Sequence, residues 1–197
     1  MVHTMVEFCV RNINIRISFL FVATLSLLSL LDKSGCVFLS VAFSLLHEIG
    51  HIAAMAICKE RIKEISFYPF GISMKLSSSA SLSTVEELFV LFSGCMVNLV
   101  FIATFKSPTI VYINTGIFIF NMLPIANLDG GRMLRLLLSA GFGEKTGNKV
   151  SVILSFALLL PLSALAFYTV IDSGQFSLFI CCVYLAAIMI FKQDNLV

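Results

Sequence analysis

The chain has 197 residues, 59% of them hydrophobic and 12% charged, with a formal net charge of +2 at pH 7. Soluble domains run about 45–50% apolar and about 25% charged. A water-soluble fold could not hide this much apolar surface, so a polytopic helical membrane protein is expected, with no room for a sizeable soluble domain.

Six apolar stretches follow one another at 13–31, 36–56, 87–105, 109–125, 150–170 and 176–191, each near the ~20 residues of a bilayer crossing. The first lacks the small-residue cleavage site of a signal peptide and is read as a transmembrane helix. The second contains His47-Glu48-Ile49-Gly50-His51. Residues 61–76 lose the helical pattern. Ile62, Glu64, Ser66 and Tyr68 alternate with Lys63, Ile65 and Phe67, and Pro69-Phe70-Gly71 breaks the run. That pattern predicts a short hairpin, which near a membrane must be covered by protein or line a wet cavity. A polar linker over 77–83 offers Ser83 or Thr84 as an N-cap, with Glu86 and Glu87 in the first helical turn. The third span carries Asn98. The fourth carries Asn121, is interrupted by Pro124 and leads into Asp129. Pro161 in the fifth predicts a kink. Cys9, Cys36, Cys58, Cys95, Cys181 and Cys182 form no CxxC pair and read as small hydrophobes without a disulfide framework. The expected fold is therefore an all-α polytopic membrane protein. It is a six-helix transmembrane bundle with a short membrane-associated β-hairpin between helices 2 and 3, in one domain over 1–197. No internal repeat and no nucleic-acid signature stands out.

The basic residues are lopsided. Arg11 and Arg16 lie at the N-terminal end of the first span. Lys59, Arg61, Lys63 and Lys75 lie between spans two and three, and Arg132, Arg135, Lys145 and Lys149 between spans four and five. Lys192 follows the sixth, and the opposite side has Lys33 and Lys106. The positive-inside rule then places both termini in the cytoplasm. Spans two and four both run outside to inside. His51, about two turns before Lys59, lies on the order of 10 Å below the cytoplasmic interface. Asp129 sits at the inner end of span four, at similar depth.

His47 and His51 are one helical turn apart, so both imidazoles can reach one metal ion, and Glu48 beside them can handle a proton. This is the HExxH arrangement. The bland alternative is two histidines packed in a bundle core, an expensive choice at membrane depth. A catalytic zinc site needs a third protein ligand and an open position for water. Asp129 is the leading candidate, in Asn121-Met122-Leu123-Pro124-Ile125-Ala126-Asn127-Leu128-Asp129-Gly130-Gly131-Arg132. Its competing role is an N-cap starting the next helix. Asn98 and Asn121 would bond substrate backbone, orient a zinc ligand or pair helices. Pro124 would shape the loop presenting Asp129.

These stretches resemble the site-2 protease family of intramembrane zinc metalloproteases, peptidase family M50. The resemblance rests on HEIGH at 47–51, on Ser93-Gly94-Cys95-Met96-Val97-Asn98 and on residues 121–132. Tyr68-Pro69-Phe70-Gly71 falls where the family carries its hairpin. The short six-span layout is similar to the sporulation-factor branch, the SpoIVFB-like peptidases. The resemblance implies one Zn2+ per chain on His47, His51 and Asp129, with Glu48 as the catalytic carboxylate. It also implies a membrane-tethered protein substrate such as a pro-sigma factor, in a cell membrane or an internal spore membrane. Cys95 and Asn127 stand where the family often has Pro, which predicts altered local backbone rather than lost chemistry. No PDZ or CBS domain is expected, so regulation would come from another membrane protein. Gly71, in the hairpin, would help hold an unwound substrate as an added strand. Two rival classes are a metal transporter, expected to spread acidic and histidine residues over several spans, and a catalytically inactive client-binding homologue, against which the intact Glu48 argues.

Overall fold

The computed structural model describes residues 5–10, 13–31, 35–60, 62–68, 71–76, 82–174 and 176–193. They form strands β1 (Met5–Val10) and β2 (Ile13–Ser18), helices α1 (Phe19–Leu31) and α2 (Cys36–Ile57), strands β3 (Ile62–Tyr68) and β4 (Gly71–Leu76), then helices α3 (Thr84–Thr104), α4 (Pro108–Met122), α5 (Asp129–Phe142), α6 (Glu144–Ser173) and α7 (Ser177–Gln193). The chain divides into two compact units, Met1–Phe118 and Ile119–Val197.

In the first unit, four strands lie in the order β1-β2-β3-β4, with β1/β2 and β3/β4 antiparallel and β2/β3 parallel. The expected hairpin is therefore present as β3 and β4, inside a larger sheet. Residues 13–18, expected as the start of a membrane helix, are strand β2. The reason is visible in their order: Ile13, Ile15 and Ile17 alternate with Asn14, Arg16 and Ser18, the two-residue period of a half-buried strand. Arg16 binds β2 to both neighbours. Its Nε lies 2.8 Å from Glu7 Oε1, and its NH1 2.9 Å from Glu64 Oε1. A tilted ring contact between Phe21 and Phe67 joins α1 to β3.

Helix α2 ends in a Schellman closure. Glu60 N–H donates to Met55 O at 3.0 Å and Lys59 N–H to Ala56 O at 3.1 Å. Helix α3 starts as expected, at a capping box: Ser83 Oγ accepts from Glu86 N–H at 3.3 Å, and Ser83 N–H donates to Glu86 Oε2 at 2.9 Å. The two helices pack antiparallel along buried stripes, Phe43, His47, Gly50, His51, Ala54 and Met55 on one and Val90, Leu91, Gly94, Cys95 and Asn98 on the other. Both stripes have helical spacing, so each presents one face. A Cβ on Gly50 would lie 2.8 Å from Val97 Cγ2 and 2.9 Å from Ser93 O. Glycine there lets the two backbones approach closely. At the far end Phe43 meets Phe101 edge-on, ring centroids 4.9 Å apart.

The second unit packs α6 and α7 around Ile125, Leu159, Leu185 and Met189. Its short helix α5 is an addition to the expected six, making seven helices among the described residues. Helices α2, α3 and α6 are long and apolar enough to cross a membrane, and α4 is a shorter apolar helix.

Candidate metal centre

Three residues on one side of His47 decide where its proton sits. Asn114 on α4 donates from Nδ2 to the backbone carbonyl of Ile110 at 2.9 Å. A carbonyl only accepts, so the amide must turn its NH2 that way and its oxygen outward. Asn98 Nδ2 donates to that oxygen at 2.9 Å, which turns Asn98 Oδ1 towards His47. Oδ1 lies 2.7 Å from His47 Nδ1. An amide oxygen also only accepts, so Nδ1 carries a hydrogen, and in the neutral imidazole Nε2 carries the lone pair. Asn98 and Asn114 are both fully buried, which makes an unpaired amide expensive and holds the chain of bonds in one orientation.

His51 reaches the same state by a shorter route. Its Nδ1 lies 2.7 Å from Val90 O, another acceptor, so its Nε2 also carries a lone pair. The two Nε2 atoms face each other at 3.2 Å, with the rings nearly perpendicular. With both rings neutral, lone pairs opposed at that distance repel, and a cation taking both would relieve the repulsion. Gly94 lies directly against them. A Cβ there would sit 2.5 Å from His51 Nε2 and 2.7 Å from His47 Nε2. Only a residue with no side chain leaves the space beside the two nitrogens open. Glu48, next on α2, is half-buried.

Asp129 is set by the loop that precedes it. Helix α4 ends at Met122, two residues before Pro124, which has no N–H to continue it. Ile125 N–H donates to Leu123 O and Leu128 N–H to Ile125 O, both at 2.8 Å. Ala126 N–H donates to Ser155 Oγ at 2.8 Å, which in turn donates to Ser151 O at 2.6 Å. A Cβ on Gly130 would collide with the Met122 carbonyl, and one on Gly131 with that of Ile125. The glycine pair therefore lets the first turn of α5 fold back against its own loop. Leu128, not Asp129, is the N-cap, and Asp129 is the first helical residue. It is buried, at 8% exposure, in the turn where the helix dipole favours negative charge. The N-cap alternative for Asp129 thus gives way.

His47, His51 and Asp129 are each buried. Two imidazole nitrogens and one carboxylate oxygen fit the three-ligand set of catalytic zinc, which keeps a position for water. Of the other expected residues, Asn121 and Pro124 are half-buried at the end of α4 and in the loop. Gly71 opens β4 opposite Tyr68, while Pro69 and Phe70 lie outside the described residues. Cys95 is fully buried on the α3 face. The Nδ2 of Asn127 is buried without a hydrogen-bond partner among the described residues. Asn114, Gly94 and Ser155 were not singled out by the sequence. Asn114 carried the same signal as Asn98, an amide in an apolar helix.

The family model of peptidase family M50 matches residues 101–165, which hold the Asp129 loop. Stage IV sporulation protein FB of Bacillus subtilis (strain 168) is 30% identical over 132 residues, covering 59% of this chain. The match spans 45% of that protein's length. The fold is that of the site-2 protease from Methanocaldococcus jannaschii, with a TM-score of 0.65, 20% identity, and coverage of 92% of this chain and 91% of the other. The chain is thus similar in part of its sequence to peptidase family M50 and shares the fold of a site-2 protease. Three helices long and apolar enough to span a bilayer support an integral membrane protein. The matched range includes Asp129 but not His47 or His51.

Proposed function

We propose that this chain is an intramembrane zinc metalloendopeptidase that cleaves a membrane-tethered protein near the cytoplasmic side, a pro-sigma factor or similar regulator. The observation that carries the reading is the pair of buried imidazoles whose Nε2 atoms face each other at 3.2 Å. The similarity to a sporulation protein supports the client class. In this reading the whole chain is one peptidase domain with both termini cytoplasmic, in a cell membrane or an internal spore membrane. Another membrane protein regulates access.

His47, His51 and Asp129 would hold one zinc ion per chain. Zinc bound there supplies a Lewis acid and brings the pKa of a water towards neutrality. The Glu48 carboxylate accepts the proton of the attacking water and delivers it to the leaving amine. Asn98 and the Val90 carbonyl keep the imidazoles aimed. A substrate helix shields its peptide bonds by its own hydrogen bonds, so it must unwind locally before attack. β4 stands at the edge of the sheet, where an unwound segment would add as a further strand beside Gly71. Asn121 would bond the substrate backbone, and Pro124 would shape the loop carrying Asp129.

Co-expression with a membrane-tethered pro-sigma reporter tests the reading. The native chain releases product, whereas Glu48→Gln and Asp129→Ala do not. Zinc stays bound in Glu48→Gln and is lost from Asp129→Ala. Equal product from all three would overturn the mechanism, and a native chain without zinc would overturn the metal site.

A further inference from the structure

We propose that Asn114 is a positioning residue, which reads the fixed polarity of the Ile110 carbonyl and passes it through Asn98 to set the tautomer of His47. The inference rests on the zinc reading of the imidazole pair for its consequence, though not for its geometry.

Each link has only one direction. The Ile110 carbonyl accepts, so Asn114 donates to it. Asn114 Oδ1 therefore accepts from Asn98 Nδ2, and Asn98 Oδ1 accepts from His47 Nδ1. Asn98 by itself carries no such instruction. An amide beside an imidazole is satisfied either way round: oxygen to an Nδ1 hydrogen, or NH2 to an Nδ1 lone pair. The second arrangement would move the imidazole hydrogen to Nε2 and block metal binding there. Asn114 removes that choice, because reversing Asn98 would set its oxygen against the Asn114 oxygen. Full burial of both amides strengthens the constraint, since neither can turn to water. His51 needs no such device, because Val90 offers it a backbone carbonyl directly.

Three variants separate this role from simple packing. In Asn114→Leu the acceptor for Asn98 is gone. In Asn114→Ser the hydroxyl still bonds the carbonyl one turn back but is too short to reach Asn98, so the helix keeps its polarity and the relay is cut. In Asn114→Asp a neutral carboxyl donates its O–H to Ile110 O and accepts from Asn98, so the relay is kept.

Two quantities are read on the full chain in detergent micelles. One is the imidazole 15N shift pattern of His47 in the metal-free protein. The other is zinc affinity by competition with a chelator. The native chain and Asn114→Asp show a single tautomer with hydrogen on Nδ1. Asn114→Ser and Asn114→Leu show a mixture and bind zinc about 10-fold more weakly, the lower end of what loss of a ligand's supporting partner costs. An unchanged tautomer in Asn114→Ser overturns the proposal, and so does equal mixing in Asn114→Asp. If the native chain binds no zinc, the metal reading fails, while the 15N comparison still decides the relay.

Discussion

Gly94 is the residue on which the imidazole pair has least tolerance. The Cβ of an alanine there would press on both Nε2 atoms, at 2.5 and 2.7 Å. Neither ring can swing away cheaply, because Asn98 holds one at 2.7 Å and Val90 O the other at 2.7 Å. Gly94→Ala is expected to lower zinc affinity at least as much as loss of a supporting partner does, about 10–100-fold. Overpacking should cost about 1–3 kcal/mol of stability in addition. Zinc content of the purified variant checks the first, and unchanged content would mean that the nitrogens meet the metal from another side. The imidazole pair itself was legible in the sequence, because a one-turn spacing of His47 and His51 is enough to place two donors on one face. Gly94 lay inside a recognised stretch without its purpose being readable. A glycine's role is the space it leaves, and that depends on a neighbouring helix.

At the scale of elements, the loop between α4 and α5 is what sets the place of Asp129. Its one tie outside the local backbone among the bonds described is Ser155, fully buried on α6, which accepts from Ala126 N–H at 2.8 Å. Ser155→Ala leaves that N–H without its acceptor, at a cost of about 1–3 kcal/mol. Thermal unfolding should fall accordingly. Cleavage of the reporter should fall too, because Asp129 lies three residues beyond the tie. Ser155→Thr keeps the hydroxyl and should restore both. Equal stability of the alanine variant would show that the loop is held by its own turns and glycines. Elements were unevenly readable for a physical reason. Long apolar helices such as α3 and α6 announce themselves by composition, and the Ser83–Glu86 box marks a start locally. Strand β2 merges with the first span because its isoleucines raise hydropathy as a helix's would, and only six residues carry the alternation. Helix α5 is too polar to register as a span. Its existence follows from Pro124 and the glycine pair, which act through contact with the preceding chain.

For the whole molecule, the proposed ligand set draws on two stretches of sequence with separate cores. His47 and His51 belong to the unit containing the Ala54, Met55 and Val90 cluster. Asp129 belongs to the unit built on Ile125, Leu159, Leu185 and Met189. An ion that takes donors from both can bind tightly only when both are folded, so binding is linked to the stability of the entire chain. Zinc at 1,000 times its dissociation constant would stabilise by about 4 kcal/mol. Stripping the metal with a chelator should therefore lower the unfolding temperature by several degrees, and added zinc should restore it. Asp129→Ala gives the decisive comparison. With only the imidazole pair left, affinity drops and the chelator should shift unfolding far less than in the native chain. A native-sized shift in that variant would mean that the ion is held within the first unit alone, and the third ligand would have to be sought among the residues of that unit.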